Sequence, residues 1–128
     1  MEKLTETNYV DLAENVIVEG LERDGKGKFR LTNSKIRNLL SLVNNLYTDV
    51  VRSSGANERL SEAIEGKIQY LRLRFVYEAG RETSVKDFVD KADIIRHLKR
   101  IETRSDLLLF CRYMEALVAY HKFNGGRD

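Results

Sequence analysis

The sequence predicts an all-α protein folded as one compact bundle of about five helices. Two observations carry this. None of the 128 residues is proline, so no helix interior is broken by a residue without an N–H. Leu, Glu, Lys, Arg and Ala, all strong helix formers, are abundant. The length fits a single domain, residues 1–128, large enough for a core that needs neither disulfide nor metal.

The first helix is expected over residues 7–22, with Val10, Ala13, Val16 and Ile17 on one face and Leu21 a turn further on. Glycines at 25 and 27 stop it, and residues 24–31 form a mobile basic loop. The second helix is expected over 32–52. Ile36, Leu39, Leu40, Val43, Leu46, Tyr47, Val50 and Val51 give it a continuous apolar face, while Arg37, Ser41, Asn44, Asn45, Thr48 and Arg52 form a polar face free of carboxylates. Residues 53–57, SSGAN, read as a turn.

The third helix is placed over 58–79, with Gly80 as its C-cap residue. Leu71 to Phe75 alternates as a strand would. No hairpin turn or second strand exists to pair with it, so helix is preferred. Its second half is apolar or aromatic on most sides, which reads as a central helix. The fourth helix should start at a Thr83–Ser84 cap and reach Arg100. The fifth should run from Ser105–Asp106 to Phe123. Between Leu107 and Tyr120 only Arg112 and Glu115 are charged, so that helix is either central or half exposed to a partner. The tail, 124–128, is expected to be loose.

Charge is distributed unevenly around a net of +2. Residues 1–24 hold seven acids and two bases, whereas residues 25–48 hold five bases and no acid. Thr32, Asn33 and Ser34 offer N-cap side chains for the second helix, and Lys35 and Arg37 follow in its first turns. Cations are unfavourable there, because the helix dipole and free N–H groups already make that end positive. An anion suits the same place, so Lys35 and Arg37 are read as phosphate ligands. Lys26, Lys28 and Arg30 are read equally as phosphate contacts or as solubilising charge. Phe29, between two of them, is read as a hydrophobic staple rather than a base-stacking ring.

Arg72 and Arg74 interrupt an apolar segment, and at least one should pair with a carboxylate such as Glu78. Arg81 suits the negative end of a helix dipole and can also reach a phosphate. The cluster from Arg96 to Arg104, His97 included, reads as a solvated basic face. His121 suits a helix C-terminus. Cys111, the single cysteine, reads as a buried side chain in a reducing cytoplasm.

No nucleotide-binding loop, nucleophile elbow or metal-ligand spacing occurs. Neither catalysis, nor a cofactor, nor a metal is expected. No apolar run approaches a membrane span, so a cytoplasmic protein is expected.

Three segments carry a family resemblance: YVDLAE at 9–14, LTNSKIRNLLSLVN at 31–44 and IQYLRLRFVYEAGR at 68–81. Together they resemble the small subunit of type III-A CRISPR effector complexes, the Csm complex, over essentially the whole chain. The resemblance implies a non-catalytic helical bundle that stacks in several copies as a filament. It implies partners, namely guide RNA and target RNA held by their backbones and the backbone and large subunits of the complex. The matching basic positions are Lys35, Arg37, Arg72, Arg74 and Arg81; the loop residues Lys26, Lys28 and Arg30 carry over least. The nearly apolar fifth helix would be the self-packing surface. Two other readings compete: a protein-interaction adaptor without RNA contact, and a DNA-binding regulator, which the crowding of basic residues at one helix end disfavours.

Overall fold

A computed structural model describes residues 1–52 and 58–128, so the turn expected at 53–57 lies outside the described residues. The described residues are helical apart from turns, loops and two isolated β-bridges. Six α-helices occur in the order α1 (Tyr9–Asn15), α2 (Asn33–Arg52), α3 (Glu62–Arg81), α4 (Thr83–Lys91), α5 (Ile94–Lys99) and α6 (Arg104–Phe123). The all-helical bundle is therefore as expected, with six helices where five were counted.

The extra helix arises from a break in the fourth. Tyr113 on α6 donates its hydroxyl to the Ala92 carbonyl at 2.9 Å, taking an acceptor that a continuous helix would use internally. Asp93 then adopts the left-handed conformation, φ 55°, which Asp tolerates better than most residues. The chain restarts as α5 in a new direction. The expected Thr83–Ser84 cap is not used: α4 begins at Thr83 without a side-chain cap. Asp87 instead accepts from the Glu22 amide at 2.9 Å.

The first helix is also shorter than its periodicity. After Asn15 it widens into a π-helical turn, Val16–Gly20, closed by Leu21 N–H donating to the Val16 carbonyl at 2.7 Å. Leu21 is extended and buried, which leads the chain into the basic turn. The third helix starts late because Ser61 caps it, its hydroxyl accepting from the Ile64 amide. Before it, Arg59 bridges Thr103, and the Glu58 carbonyl accepts from the Arg104 amide at 2.8 Å. Gly80 is inside α3 rather than its cap, and a Cβ there would meet nothing within 4 Å. Thr103 and Asp106 form a capping box on α6.

Packing settles one open reading and reverses another. The central helix is α6, which packs on α1, on α2 and on the π-helical turn. It buries Leu107, Phe110, Cys111, Tyr113, Met114 and Leu117, so it takes the central of the two places its composition allowed. Conversely α3 lies outside, on α2, α4 and α5. Only Ile64, Ile68, Leu71 and Phe75 on it are buried. Its outer face leaves Tyr70, Leu73, Val76 and Tyr77 between 53% and 60% exposed. Helical packing uses one stripe of a helix, and the surplus apolar residues of α3 fall off that stripe.

Both histidines are structural and buried, at 3% and 0% exposure. His97 is not on a solvated face. Its Nε2 lies 3.0 Å from the Met1 sulfur, and its ring meets Tyr113 edge-on at 5.1 Å. Burial lowers its pKa to about 4, against the opposing pull of Asp93. His121 donates from Nε2 to the Leu31 carbonyl at 2.8 Å and stacks on Phe29 at 5.0 Å. Burial lowers its pKa as well, so it is a neutral core residue and not a cation at the helix end. Burial also pushes the Cys111 thiol up to about 12.

A histidine held neutral when folded takes up a proton more readily when unfolded. Stability is therefore complete above pH 6.5 and is lost as pH falls toward 4. For His97 the loss reaches about 3 kcal/mol at the acid end of that window. The urea-unfolding midpoint should fall between pH 7 and 4.5, and His97→Gln should flatten the fall. A midpoint constant over that range would refute this account of His97.

Candidate nucleic-acid interface

The basic residues singled out in the sequence fall into three places. The first is a groove between α2 and α3. A cavity of about 430 Å³ is lined by Lys35, Asn38, Arg74, Glu78, Arg81 and Glu82, among others. A second of about 240 Å³, lined by Asn45, Asp49, Lys67 and Tyr70, continues it along the same helices. Three predicted residues thus converge: Lys35 from the start of α2, Arg74 and Arg81 from the end of α3.

Each of these cations already has a partner. Lys35 Nζ lies 2.7 Å from Glu82, which holds the Glu82 carboxyl below its usual range. Arg74 and Arg81 share Glu78, at 3.3 and 3.4 Å, and the Arg81 guanidinium lies over Tyr77. The Arg74–Glu78 pair is the intrahelical pairing expected for one of the two central arginines. The Arg74 Nε–H is buried without an acceptor, an unmet donor in the groove wall. Arg72 is elsewhere. Two residues along a helix turn the side chain by about 200°, and Arg72 instead donates to Gln69 at 2.9 Å.

The second place is the outer face of α2. Arg37, Asn38, Ser41, Asn44, Asn45, Thr48 and Arg52 are all exposed, over about 22 Å of helix. Asp49, beside this face, is paired with Lys67 at 2.9 Å. Among the described residues, neither Arg37 nor Arg52 is in an ion pair. This face therefore presents two guanidiniums outside any ion pair, with neutral donors and acceptors between them. Arg52 was visible in the sequence as part of the carboxylate-free face but was not singled out as a ligand.

The third place is the loop before α2. It is a closed turn rather than a mobile loop. Asp24 accepts from the Lys26 and Lys28 amides at 2.8 and 3.0 Å, and these bonds lower its pKa. Arg23 and Phe29 form an isolated β-bridge. Phe29 is 8% exposed, which rules out its face as a base-stacking platform and agrees with an anchoring role before α2. Arg30 pairs with Glu22 at 3.4 Å; Lys26 and Lys28 are exposed.

The start of α2 differs most from expectation. Thr32 caps it, accepting from the Lys35 amide at 3.3 Å. The amides expected to be free are engaged by the tail, which is docked rather than loose. The Asn33 amide donates to the Arg127 carbonyl at 3.3 Å. The Ser34 amide and hydroxyl donate to the Asp128 carboxylate at 2.8 and 2.7 Å, which lowers the pKa of Asp128. An internal anion thus occupies the positive helix end, as the helix dipole favours. Residues 34 and 128 are too far apart in sequence for this contact to be foreseen from spacing.

Among the described residues, no group of three or more His, Cys, Asp or Glu side chains is placed to hold a metal. Among the same residues, no helix is long and apolar enough to cross a membrane.

Comparison with known proteins joins this geometry to a family. Residues 11–127 match the model of the family described as Csm2 Type III-A. The chain is 51% identical over 125 residues to the CRISPR system Cms protein Csm2 of Streptococcus thermophilus, covering 98% of each chain. It is 44% identical over 122 residues to the protein of the same name from Mycobacterium tuberculosis, strain CDC 1551 / Oshkosh, covering 94% of each. It is 42% identical over 96 residues to that of Enterococcus italicus, covering 73% of this chain and 67% of the relative.

Docking of the tail depends on Gly126. It packs so closely on His121 that a Cβ there would collide with the imidazole and the His121 carbonyl. Gly126→Ala should cost about 1–3 kcal/mol and speed hydrogen exchange at the Asn33 and Ser34 amides. Unchanged exchange at those two amides would show that the tail does not protect them.

Proposed function

Because this chain belongs to the Csm2 family of type III-A CRISPR systems, we propose that it is the non-catalytic small subunit of a type III-A effector ribonucleoprotein. In this reading several copies stack beside the backbone and large subunits and hold the guide RNA/target RNA duplex by its backbone. Sequence is read by base pairing and not by this subunit, as in other RNA-guided systems. The work is done in the cytoplasm.

The observation that carries the RNA reading is the outer face of α2. It is exposed, free of carboxylates, and bears Arg37 and Arg52 outside any ion pair among the described residues. A clamp blind to sequence needs cations and neutral hydrogen-bonding groups on a rigid element, and no base-reading pocket. The adjoining groove adds Lys35, Arg74 and Arg81. Their ion pairs are partly exposed and weak enough to be exchanged for phosphate contacts. Arg72, Lys26, Lys28 and Arg30 are proposed as peripheral contacts, Arg30 the weakest because Glu22 holds it. Each contact is small alone; repetition along stacked copies multiplies them.

The stacking reading draws on α3. Tyr70, Leu73, Val76 and Tyr77 form an uncovered apolar strip, of the kind that marks a protein interface. The same strip supports the alternative of an adaptor that touches proteins but no RNA.

Two experiments separate these roles. Lys35→Ala with Arg37→Ala, in the assembled complex, should weaken target-RNA binding by about tenfold or more and leave subunit composition unchanged. Unchanged RNA binding by an intact complex would favour the adaptor. Leu73→Asp with Tyr77→Asp should lower the number of copies retained, read by native mass spectrometry. Full retention would move the stacking surface away from α3.

A further inference from the structure

A third concave surface lies at the other side of the α2 start, between the 23–29 turn and the chain that leaves α6. It is a cleft of about 500 Å³. Four of the residues lining it are cations, Arg23, Lys28, Lys122 and Arg127, and no carboxylate lines it. Among the described residues none of the four is in an ion pair. Arg23, Lys122 and Arg127 play no part in the sequence-based reading of the interface.

The cleft is built rather than incidental. Arg23 lies over the Phe29 ring, 4.0 Å from its centroid, and one edge of its guanidinium donates to the Gly27 carbonyl at 3.0 Å. Phe29 is backed in turn by His121. The fork is thus held in place with its remaining donors unspent. Gly125 adopts φ 100°, a conformation that suits glycine, and turns the chain back across the end of α6. This brings Arg127 round to the wall that carries Lys122.

Two carboxylates stand near, outside the lining; Asp24 attracts Lys28 and Asp128 attracts Lys122, and both are hydrogen-bonded elsewhere. Asp24 accepts from backbone amides of its own turn, and Asp128 accepts from Ser34. These two carboxylates offset part of the repulsion among the four cations, and the hollow itself keeps a positive field that favours an anion. Phe29, the one large apolar side chain lining the cleft, is covered by Arg23 and His121, so the cleft offers a protein partner no apolar anchor. The repeating charge of a phosphodiester backbone fits it better.

We propose that this cleft is a second phosphate-binding site, taking the phosphodiester backbone of an RNA strand on Arg23, Lys28, Lys122 and Arg127. The inference rests on the RNA-holding reading above. It extends the basic surface from the outer face of α2 round the docked tail.

The test uses the full chain and a fluorescein-labelled RNA duplex, with anisotropy measured from about 50 to about 200 mM salt. Lys28→Glu, Lys122→Glu and Arg127→Glu combined should weaken binding by about tenfold or more at low salt. The slope of log affinity against log salt should flatten by about one for every phosphate the variant no longer neutralises. Lys28→Arg with Lys122→Arg should retain binding. The control, Lys3→Glu, Lys99→Glu and Arg112→Glu, makes the same charge change elsewhere and should weaken binding far less. Equal weakening in the cleft and control variants would reduce the effect to net charge and overturn the site. Normal binding by the cleft variant, with weakened binding in Lys35→Ala/Arg37→Ala, would overturn the cleft alone. Normal binding by both would remove the RNA-holding reading and the cleft with it. Inorganic phosphate serves as competitor. If it displaces RNA no better than chloride at equal ionic strength, the ligand is the strand; saturable displacement at low concentration would assign the cleft to free phosphate instead.

Discussion

The fold is governed by the burial of α6. A helix with so few charges has to be covered on most of its circumference, because each exposed apolar side chain forgoes its transfer free energy. Covering it takes α1, the π-helical turn and α2. The remaining helices then pack outward from α2, with α3 held between α2 and the α4–α5 pair. Tyr113 links the two halves: its ring is in the core and its hydroxyl takes the Ala92 carbonyl at the α4–α5 break. One side chain therefore fixes both a packing layer and a change of chain direction.

Basic residues of similar appearance in the sequence have different electrostatic lives in the structure. Lys35 and Arg37 are two positions apart, yet Lys35 meets Glu82 in a groove and Arg37 is exposed, outside any ion pair among the described residues. Arg72 and Arg74 divide in the same way around α3. Side-chain direction decides this, since neighbours two apart on a helix point to nearly opposite sides. A run of charge in a sequence is thus a set of candidates, which the helix sorts by angle.

What could be read from the sequence was whatever depended on short spacing. The amphipathic face of α2, the Thr32 cap and an Arg–Glu pair on α3 all rest on residues within a turn or two of each other. The errors came from long-range contacts. Nothing near Thr83 announces that Glu82 will meet Lys35, and nothing in the tail announces that Asp128 will cap α2. The third helix was placed at the centre, because composition gives the amount of apolar surface and not which neighbours arrive to cover it. His97 looked solvated because of its charged neighbours in the chain; in space its neighbours are Met1 and Tyr113.

The uncovered strip on α3 bears on how much of this protein a cell can hold at once. Copies with Tyr70, Leu73, Val76 and Tyr77 facing water attract one another without order when nothing else is there to meet them. Any surface that covers the strip removes that attraction. How much of the chain stays in solution is thus written into one face of one helix.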